Sequence, residues 1–189
     1  MKLKRVLQYA QFLLQDTVEA GDIVVDATAG NGYDTTFLAQ LVGENGHVFA
    51  FDVQKQAVES TQNRLQVEGL SKRVSVILDG HENVDQYVKE TISAAIFNLG
   101  YLPGSEHEVI TKPNTTLKAI ESLLSLLKVG GIIVLVIYYG HEGGKEERDQ
   151  VIEYVSHLPQ KKVHALRYEF INQKNDPPFI IALEKMKEL

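Results

Sequence analysis

The chain has 189 residues, of which 44% are hydrophobic and 23% charged, and its formal net charge is −6. These values are typical of a soluble globular protein with one core, so we expect a single domain over 1–189. The chain contains no cysteine, which excludes disulfides, a thiolate nucleophile and a cysteine metal site. The acidic charge argues against a protein that holds long nucleic acid by charge alone.

The amino-terminal sequence does not resemble an export or membrane segment. Its basic start, Met1 to Arg5, precedes an amphipathic stretch rather than the apolar core of a signal peptide. The longest apolar run, Gly131 to Tyr139, is too short to span a bilayer. We therefore expect a cytoplasmic protein with no membrane partner.

Helical and strand patterns alternate along the chain. Apolar residues at helical spacing predict a first helix over 3–19, and further helices are predicted over 33–42, 54–67, 84–89, 113–127 and 146–157. Short apolar or β-branched runs predict seven strands, over 23–26, 47–51, 73–78, 94–97, 132–138, 163–170 and 179–183. Residues 128–131 are predicted to turn the chain, and 172–178 to join the last two strands as a hairpin loop.

This order of elements predicts an α/β fold with a seven-stranded, mostly parallel sheet and helices on both faces. The closing hairpin implies one antiparallel strand. Ligands of such folds bind beyond the carboxyl ends of the strands. Asp26, Asp52, Asp79 and Asn98 each end a different strand, so we expect these four side chains to converge on one crevice.

The first strand enters a glycine-rich turn, Asp26-Ala-Thr-Ala-Gly-Asn-Gly32. It resembles the first motif of class I methyltransferases, an acidic residue followed by alternate glycines, with Thr28 replacing the first glycine. Glycine lets the backbone approach a ligand closely, and the helix that follows presents free N–H groups. A nicotinamide-binding fold is the rival interpretation. Its fingerprint needs glycine at Thr35, and Asp34 would repel the pyrophosphate.

S-adenosylmethionine has no phosphate and carries a positive sulfonium, so it suits an acidic loop better. Asp52 lies 20 residues beyond Gly32, where a carboxylate accepts hydrogen bonds from both ribose hydroxyls. Asp79-Gly80-His81 follows the third strand, beside the expected adenine. Asp79 or the Gly80 backbone would meet the adenine amine, and His81 would pack on the ring or hydrogen-bond near it. Turn formation at the strand ends is the structural alternative for Asp26 and Asp52, and a surface turn residue is the alternative for His81.

Asn98-Leu-Gly-Tyr-Leu-Pro103 follows the fourth strand, where amino methyltransferases often carry Asn/Asp-Pro-Pro-Tyr/Phe. In those enzymes the amide oxygen and a backbone carbonyl hold the target nitrogen, and the aromatic ring packs on the substrate. Here Leu99-Gly100 replaces the two prolines, Asn98 remains, and Tyr101 supplies the ring. The motif favours a nitrogen nucleophile. The alternative is that Asn98 caps the strand and Tyr101 packs on the core.

The loop after the fifth strand, 138–144, is flanked by glycines and is typical of a mobile active-site loop, although an ordinary flexible loop is the alternative. A primary amine must lose a proton before it attacks a methyl group. We expect His141 to accept that proton, with Glu142 as the alternative, and Tyr139 to stack on a base. No metal site is predicted, because the other histidines lack metal-ligand spacing: His47, His107, His157 and His164.

Taken together, the motifs resemble a small bacterial family of stand-alone class I methyltransferases, labelled rRNA methylases. The resemblance covers nearly all 189 residues. It implies a Rossmann-like fold and a tRNA methyltransferase that converts 5-aminomethyl-2-thiouridine at the wobble position to 5-methylaminomethyl-2-thiouridine. It also implies cofactor roles for Asn31, Asp52, Gln54 and His81.

The predicted site therefore has three parts. The cofactor residues are Asp26, Thr28, Gly30, Asn31, Gly32, Asp34, Thr35, Asp52, Gln54, Asp79, Gly80, His81 and Asn98. The catalytic residues are Asn98, Tyr139 and His141. The substrate-binding residues are Tyr101, Tyr139, Arg5 and Arg148.

The implied partner is a tRNA anticodon stem-loop, which an acidic protein must bind through a local positive face and by stacking of extruded bases. Candidates for that face are Lys2, Lys4, Arg5, Arg148 and Arg167, and a homodimer would widen it. Two other hypotheses stay open: a methyltransferase of rRNA, a small molecule or a protein amine, and a non-catalytic module that retains only the fold. The intact set of Asp26, Gly30, Gly32 and Asp52 argues against the non-catalytic module.

Overall fold

A computed structural model describes residues 2–100 and 113–189. The strands are β1 (Ile23–Asp26), β2 (His47–Asp52), β3 (Val74–Leu78), β4 (Ile92–Leu99), β5 (Leu127–Ile137), β6 (Val163–Tyr168) and β7 (Phe179–Lys185). The helices are α1 (Val6–Thr17), α2 (Tyr33–Val42), α3 (Lys55–Val67), α4 (Val84–Tyr87), α5 (Pro113–Leu126) and α6 (Gly144–Ser156). Two short 3-10 turns, Ser71–Arg73 and His81–Asn83, precede β3 and α4.

The seven strands form one sheet in the order β3-β2-β1-β4-β5-β7-β6. The pairs from β3 across to β5 are all parallel, whereas β7 pairs antiparallel with both β5 and β6. The predicted mostly parallel sheet with one antiparallel strand is therefore confirmed. Because β7 alone is reversed, the carboxyl end of β6 lies at the same edge as those of β1 to β5. We call this edge the site edge.

The core has two layers, one on each face of the sheet. Residues from α1, α2 and α3 pack on one face, and residues from α4, α5 and α6 pack on the other. Along β4, Ala94 and Ile96 face the first layer, and Ala95 and Phe97 face the second. A strand buried on both faces is expected to be continuously apolar, as this one is.

The structure differs from the sequence prediction at β5. This strand begins at Leu127, so the predicted turn at 128–131 lies inside it. The pairing passes from Ile92 with Leu127 to Ala94 with Ile132, so the intervening residues bulge out of the ladder. Gly130 adopts φ 80° there, a conformation that glycine allows. The ammonium of buried Lys185 donates a hydrogen bond to the Leu127 carbonyl at 2.7 Å and satisfies the acceptor at this junction.

Other boundaries shift by a few residues. The first helix covers Val6–Thr17 rather than 3–19, and β4 extends two residues beyond each predicted end. The start of α1 is attached to the site edge, because the Tyr168 hydroxyl donates to the Lys4 carbonyl at 2.7 Å and the Tyr9 and Tyr168 rings stack at 4.0 Å. Within the two described ranges, no helix is long and apolar enough to cross a membrane.

Candidate active site

The glycine-rich loop between β1 and α2 crosses the site edge and is held by both neighbouring strands. The amide of Ala27 donates to the Ile96 carbonyl of β4, and the amide of Ala29 donates to the Phe51 carbonyl of β2, each at 2.9 Å. Gly32 closes the loop with φ 79°. A Cβ atom at this position would lie 3.0 Å from the Thr61 Cα, so both the φ angle and the close approach of α3 require glycine.

Asp26 lies beneath this loop rather than on its open surface. Its side chain is fully buried; Oδ1 accepts a hydrogen bond from the Thr28 amide at 3.1 Å, and Oδ2 accepts one from the Thr35 hydroxyl at 2.6 Å. Burial raises the pKa of Asp26 to about 7, and the nearby Asp34 carboxylate adds to that rise. Asp26 and Thr35 are thus in position to fix the shape of the loop from below.

Asp52 connects the loop to the turn after β2. Its Oδ2 accepts a hydrogen bond from the Gly30 amide and its Oδ1 accepts one from the Gln54 amide, each at 2.9 Å. The side chain is half-buried, so part of it faces outward. The structure therefore brings together Gly30, Asp52 and Gln54, three of the predicted cofactor residues.

Two residues of α3 hold the outer side of the loop, and sequence reasoning missed both. Thr61 donates its hydroxyl to the Gly30 carbonyl at 3.2 Å, and Arg64 donates Nε to the Asn31 carbonyl at 2.8 Å. The Arg64 guanidinium also lies 3.8 Å from the centroid of the Tyr33 ring. Thr61 and Arg64 are three positions apart on one helix face, but that spacing alone does not indicate which loop the face meets.

The carboxylate of Asp79 is turned toward its own segment. Oδ1 accepts hydrogen bonds from the Gly80 amide at 2.7 Å and from Asn83 Nδ2 at 3.0 Å, and Oδ2 accepts one from the Tyr87 hydroxyl at 2.8 Å. The hydrogen bonds from Tyr87 and Asn83 lower the pKa of Asp79. Asp79 therefore stays ionised and orients the turn that carries Gly80 and His81.

His81 is buried, 7% exposed, and is not the surface turn residue considered as an alternative. Its Nδ1 lies 3.0 Å from the Ala27 carbonyl, and burial lowers its pKa. A carbonyl accepts only, so Nδ1 carries the proton and the neutral ring presents Nε2 as an acceptor. Among the described residues, Nε2 has no hydrogen-bond partner. A buried acceptor of this kind suits a ligand that supplies an N–H or O–H group.

Asn98, at the end of β4, is held by two residues of the loop region. Its backbone amide donates to the Thr28 hydroxyl, and its Nδ2 donates to Asp34 Oδ2, each at 2.7 Å. Burial raises the pKa of Asp34, and the hydrogen bond from Asn98 opposes that rise. Because the carboxylate faces the amide nitrogen, Oδ1 of Asn98 lies on the opposite edge of the amide. Thr28, Asp34 and Asn98 thus form one cluster.

His141 lies against the backbone that follows Asn98. A Cβ atom at Gly100 would come 2.9 Å from His141 Nε2, and one at Gly144 would come 2.7 Å from its Cε1. The His141 ring therefore lies between Gly100 and Gly144, and Gly100 is only two residues beyond Asn98 in the chain. Nε2 of His141 is buried and has no partner among the described residues. Tyr101, predicted to pack on the substrate, lies outside the described residues.

The remaining predicted substrate residues are more distant. Arg148 lies over the Tyr139 ring, with its guanidinium 4.7 Å from the centroid, and its Nε donates to Asp149 at 2.7 Å. Arg5 is exposed at the start of α1, and no contact within the described chain joins it to the other predicted site residues. The structure therefore connects Arg148 to the loop of His141 but leaves Arg5 apart.

The donor and acceptor set at this part of the site edge fits S-adenosylmethionine. Carboxylates from Asp34 and Asp52 flank the loop, and His81 Nε2 adds an unsatisfied buried acceptor. Negative charge and acceptors suit a ligand with a sulfonium, an ammonium group, ribose hydroxyls and an adenine amine. A dinucleotide would instead bring its pyrophosphate against Asp34.

Comparison with known proteins supports S-adenosylmethionine as the ligand of this site. A family model described as "Putative rRNA methylase" matches residues 48–184. A chloroplast tRNA (mnm5s2U34)-methyltransferase of Arabidopsis thaliana is 35% identical over 192 residues, which cover 96% of this chain and 70% of the plant protein.

Two solved structures are similar to this chain over nearly its whole length. A Clostridium thermocellum protein with the same description as the family superposes with a TM-score of 0.96 at 46% identity, covering 98% of this chain and 100% of its own. A presumed methyltransferase from Streptococcus mutans, solved in complex with S-adenosylhomocysteine, gives a TM-score of 0.90 at 43% identity, covering 97% and 99%. The cofactor is therefore S-adenosylmethionine, and the chain belongs to the rRNA methylase family of class I, S-adenosylmethionine-dependent methyltransferases.

Proposed function

We propose that this enzyme methylates the primary amine of 5-aminomethyl-2-thiouridine at the tRNA wobble position and forms 5-methylaminomethyl-2-thiouridine. The plant relative named for this nucleoside supports the substrate. The observation that carries the proposal is the cluster at the end of β4, where Asp34 fixes the Asn98 amide and His141 lies against the next turn.

Asn98 orients the amine in this proposal. Its Nδ2 is occupied by Asp34, so its Oδ1 accepts an N–H bond from the target nitrogen. That bond directs the nitrogen lone pair and prevents the amine from rotating freely. A sulfonium methyl group needs little activation, so positioning supplies most of the rate enhancement.

His141 accepts the proton in this proposal. A primary amine is largely protonated near neutral pH and must lose one proton to become a nucleophile. The buried Nε2 of His141 lies next to the Gly100 backbone, two residues from Asn98. Transfer of the amine proton to Nε2 leaves a neutral amine and an imidazolium, which returns the proton to solvent after the methyl group has been transferred. Tyr139, on the same loop, would stack on the base.

The cofactor residues divide into three groups in this proposal. Asp52, with Asn31 and Gln54, binds the ribose end, and His81 with the Gly80 backbone meets the adenine. The amino-acid end lies along the loop, beside Thr28, Gly30, Gly32 and Asp34, while Asp26 and Thr35 hold the shape of the loop from beneath. When bound, S-adenosylmethionine supplies the electrophilic methyl group.

The test is nucleoside mass spectrometry on tRNA from cells that lack the gene. We expect 5-aminomethyl-2-thiouridine to accumulate, and the purified enzyme with S-adenosylmethionine to convert it in that tRNA. The control is the His141→Ala variant, which should bind S-adenosylhomocysteine but not restore the methylated nucleoside. Unchanged wobble uridines in the mutant cells would refute the proposal.

The second candidate is methylation of rRNA, a small molecule or a protein amine on the same fold. The description of the family favours rRNA, and the net charge of −6 suits a small or proteinaceous substrate. Methyl transfer to one of these in the purified system, with tRNA unreactive, would favour it. We also propose a cytoplasmic location, a single domain over 1–189 and a homodimer that widens the RNA-binding face.

A further inference from the structure

Two arginine side chains flank two neighbouring aromatic rings in a row along the site edge. Arg148 of α6 lies over the Tyr139 ring at 4.7 Å, Tyr139 meets Phe179 of β7 edge-on at 5.8 Å, and Arg167 of β6 lies over the Phe179 ring at 4.5 Å. We call these four residues the arginine–aromatic row. Tyr139 of the row lies two residues before His141, and Arg167 lies on β6, an edge strand of the sheet.

The two guanidinium groups of the row are held in the same way. Each lies on an aromatic face, and each donates Nε to a nearby carboxylate, Asp149 for Arg148 and Glu169 for Arg167. In the described part of the chain, no hydrogen bond involves the terminal nitrogens of either group. A planar cation fixed on one face and one edge is pre-organised for a pair of phosphate oxygens and loses little rotamer freedom on binding.

The accessibility of the row increases away from the reacting loop. The side chain of Arg148 is 24% exposed and that of Arg167 is 47% exposed, while Phe179 is buried beneath them. Phe179 is therefore a support for the cations rather than a surface on which a base could stack. Tyr139 is partly exposed and lies where the row meets the reacting loop.

The two cations of the row lie close enough together for one nucleic-acid strand to contact both. The three steps of the row set an upper limit on the separation of the two guanidinium carbons, which is the length of about four stacked nucleotides at a rise of ~3.4 Å each. Two fixed, accessible cations within that limit, on a protein of net charge −6, can meet phosphates of the same strand. A small amine would need neither of them.

We propose that the arginine–aromatic row binds the phosphates of the RNA strand that leads away from the target nucleotide, with Arg148 near the reacting loop and Arg167 at the outer end. This inference rests on the proposed function, because it takes RNA as the substrate. It adds the path of the RNA, which crosses β5, β7 and β6 on the face of the sheet that carries α6.

The test compares two substitutions at the Arg167 end of the row that change the local charge in opposite directions. Arg167→Gln removes a cation, whereas Glu169→Gln removes the carboxylate that faces it. Binding of a fluorescein-labelled anticodon stem-loop is measured by anisotropy between ~50 and ~200 mM salt, the range over which counterion release changes affinity strongly. We expect Arg167→Gln to weaken binding about 5- to 10-fold and to lower the salt slope by about one unit. Glu169→Gln should strengthen binding about twofold at low salt.

Lys72→Gln is the matched control, because Lys72 precedes β3 at the opposite edge of the sheet and carries the same charge. Its RNA affinity should equal that of the wild type, and all three variants should keep the wild-type affinity for S-adenosylhomocysteine. In turnover, Arg167→Gln should raise KM for RNA and leave kcat unchanged, because Arg167 does not touch the reacting atoms.

The outcomes distinguish this inference from the proposed function on which it rests. If the wild type methylates the stem-loop but Arg167→Gln binds it equally well, RNA binding by the row is refuted and the proposed function stands. If the wild type binds the stem-loop through Arg167 without methylating it, the row stands and the function is refuted. If the wild type neither binds nor methylates RNA, both are refuted, and a protein or small amine becomes the better candidate.

Discussion

The buried carboxyl group of Asp26 makes the stability of this protein depend on pH. Its pKa is raised from 3.8 to about 7, mainly by burial. Between these pH values the folded protein keeps the proton while the unfolded chain has released it. The folded state then binds more protons than the unfolded state, so the free energy of unfolding falls as pH rises through this window. At ~1.4 kcal/mol per pKa unit, the shift corresponds to about 4 kcal/mol lost between pH 4 and pH 8.

Asp26→Asn isolates this contribution. An amide can keep both hydrogen bonds, because its oxygen accepts from the Thr28 amide and its nitrogen donates to the Thr35 hydroxyl, which reverses its role. The variant should therefore fold, and its stability relative to the wild type should increase by about 4 kcal/mol between pH 4 and pH 8. Burial also raises the pKa of Asp34, and the Asp34 charge is one cause of the Asp26 shift, so the difference between the two proteins includes the coupling of these two groups.

Urea unfolding followed by circular dichroism at several pH values measures this difference. Asp85→Asn, which removes an exposed carboxylate outside the loop, controls for the loss of one acidic group. Parallel stability curves for the wild type and Asp26→Asn would contradict the reasoning, because they would mean that Asp26 titrates alike in the folded and unfolded chains.

Three further substitutions test the loop and the reacting end. Asp52→Ala should weaken S-adenosylmethionine binding at least 10-fold by calorimetry, a loss of ~1.4 kcal/mol or more, and unaltered affinity would remove Asp52 from the site. His141→Ala should lower kcat by ~10² to ~10⁴ while affinity for S-adenosylhomocysteine is kept; full activity would assign the proton to Tyr139, Glu142 or solvent. Gly32→Ala should destabilise the fold by ~1 to ~3 kcal/mol in thermal unfolding, because alanine at φ 79° is strained and its Cβ would meet Thr61. An unchanged Tm would show that the loop can relax.

The parts of the fold that follow from local pattern were predictable. Most strands of the sheet appear as apolar or β-branched runs, and the polar residues at the carboxyl ends of β1, β2 and β4 mark the site edge, as at Asp52 and Asn98. The helix after the glycine loop begins at Tyr33 and ends at Val42, as predicted, because a glycine-rich turn precedes it and Gly43 follows it.

The parts that depend on distant contacts were not predictable. Asp34 hydrogen-bonds Asn98, 64 positions away in sequence, and Thr61 meets Gly30, 31 positions away. Neither pair has a spacing signature, because each contact depends on how separate elements pack. The protonated nitrogen of His81 is likewise fixed by a carbonyl on another segment. The sequence predicts a turn at 128–131 where the structure has the bulge in β5, because two adjacent glycines are equally typical of both.

The close packing of His141 against Gly100 has an evolutionary consequence. The imidazole occupies the space that any side chain at position 100 would need. The Tyr138 carbonyl oxygen would lie 2.6 Å from a Cβ atom at that position, and Gly100 has φ 75°, so a smaller residue at 141 would not by itself make room for a side chain at 100. Across the family, glycine should therefore be kept at position 100 wherever this turn is kept, whatever residue stands at 141.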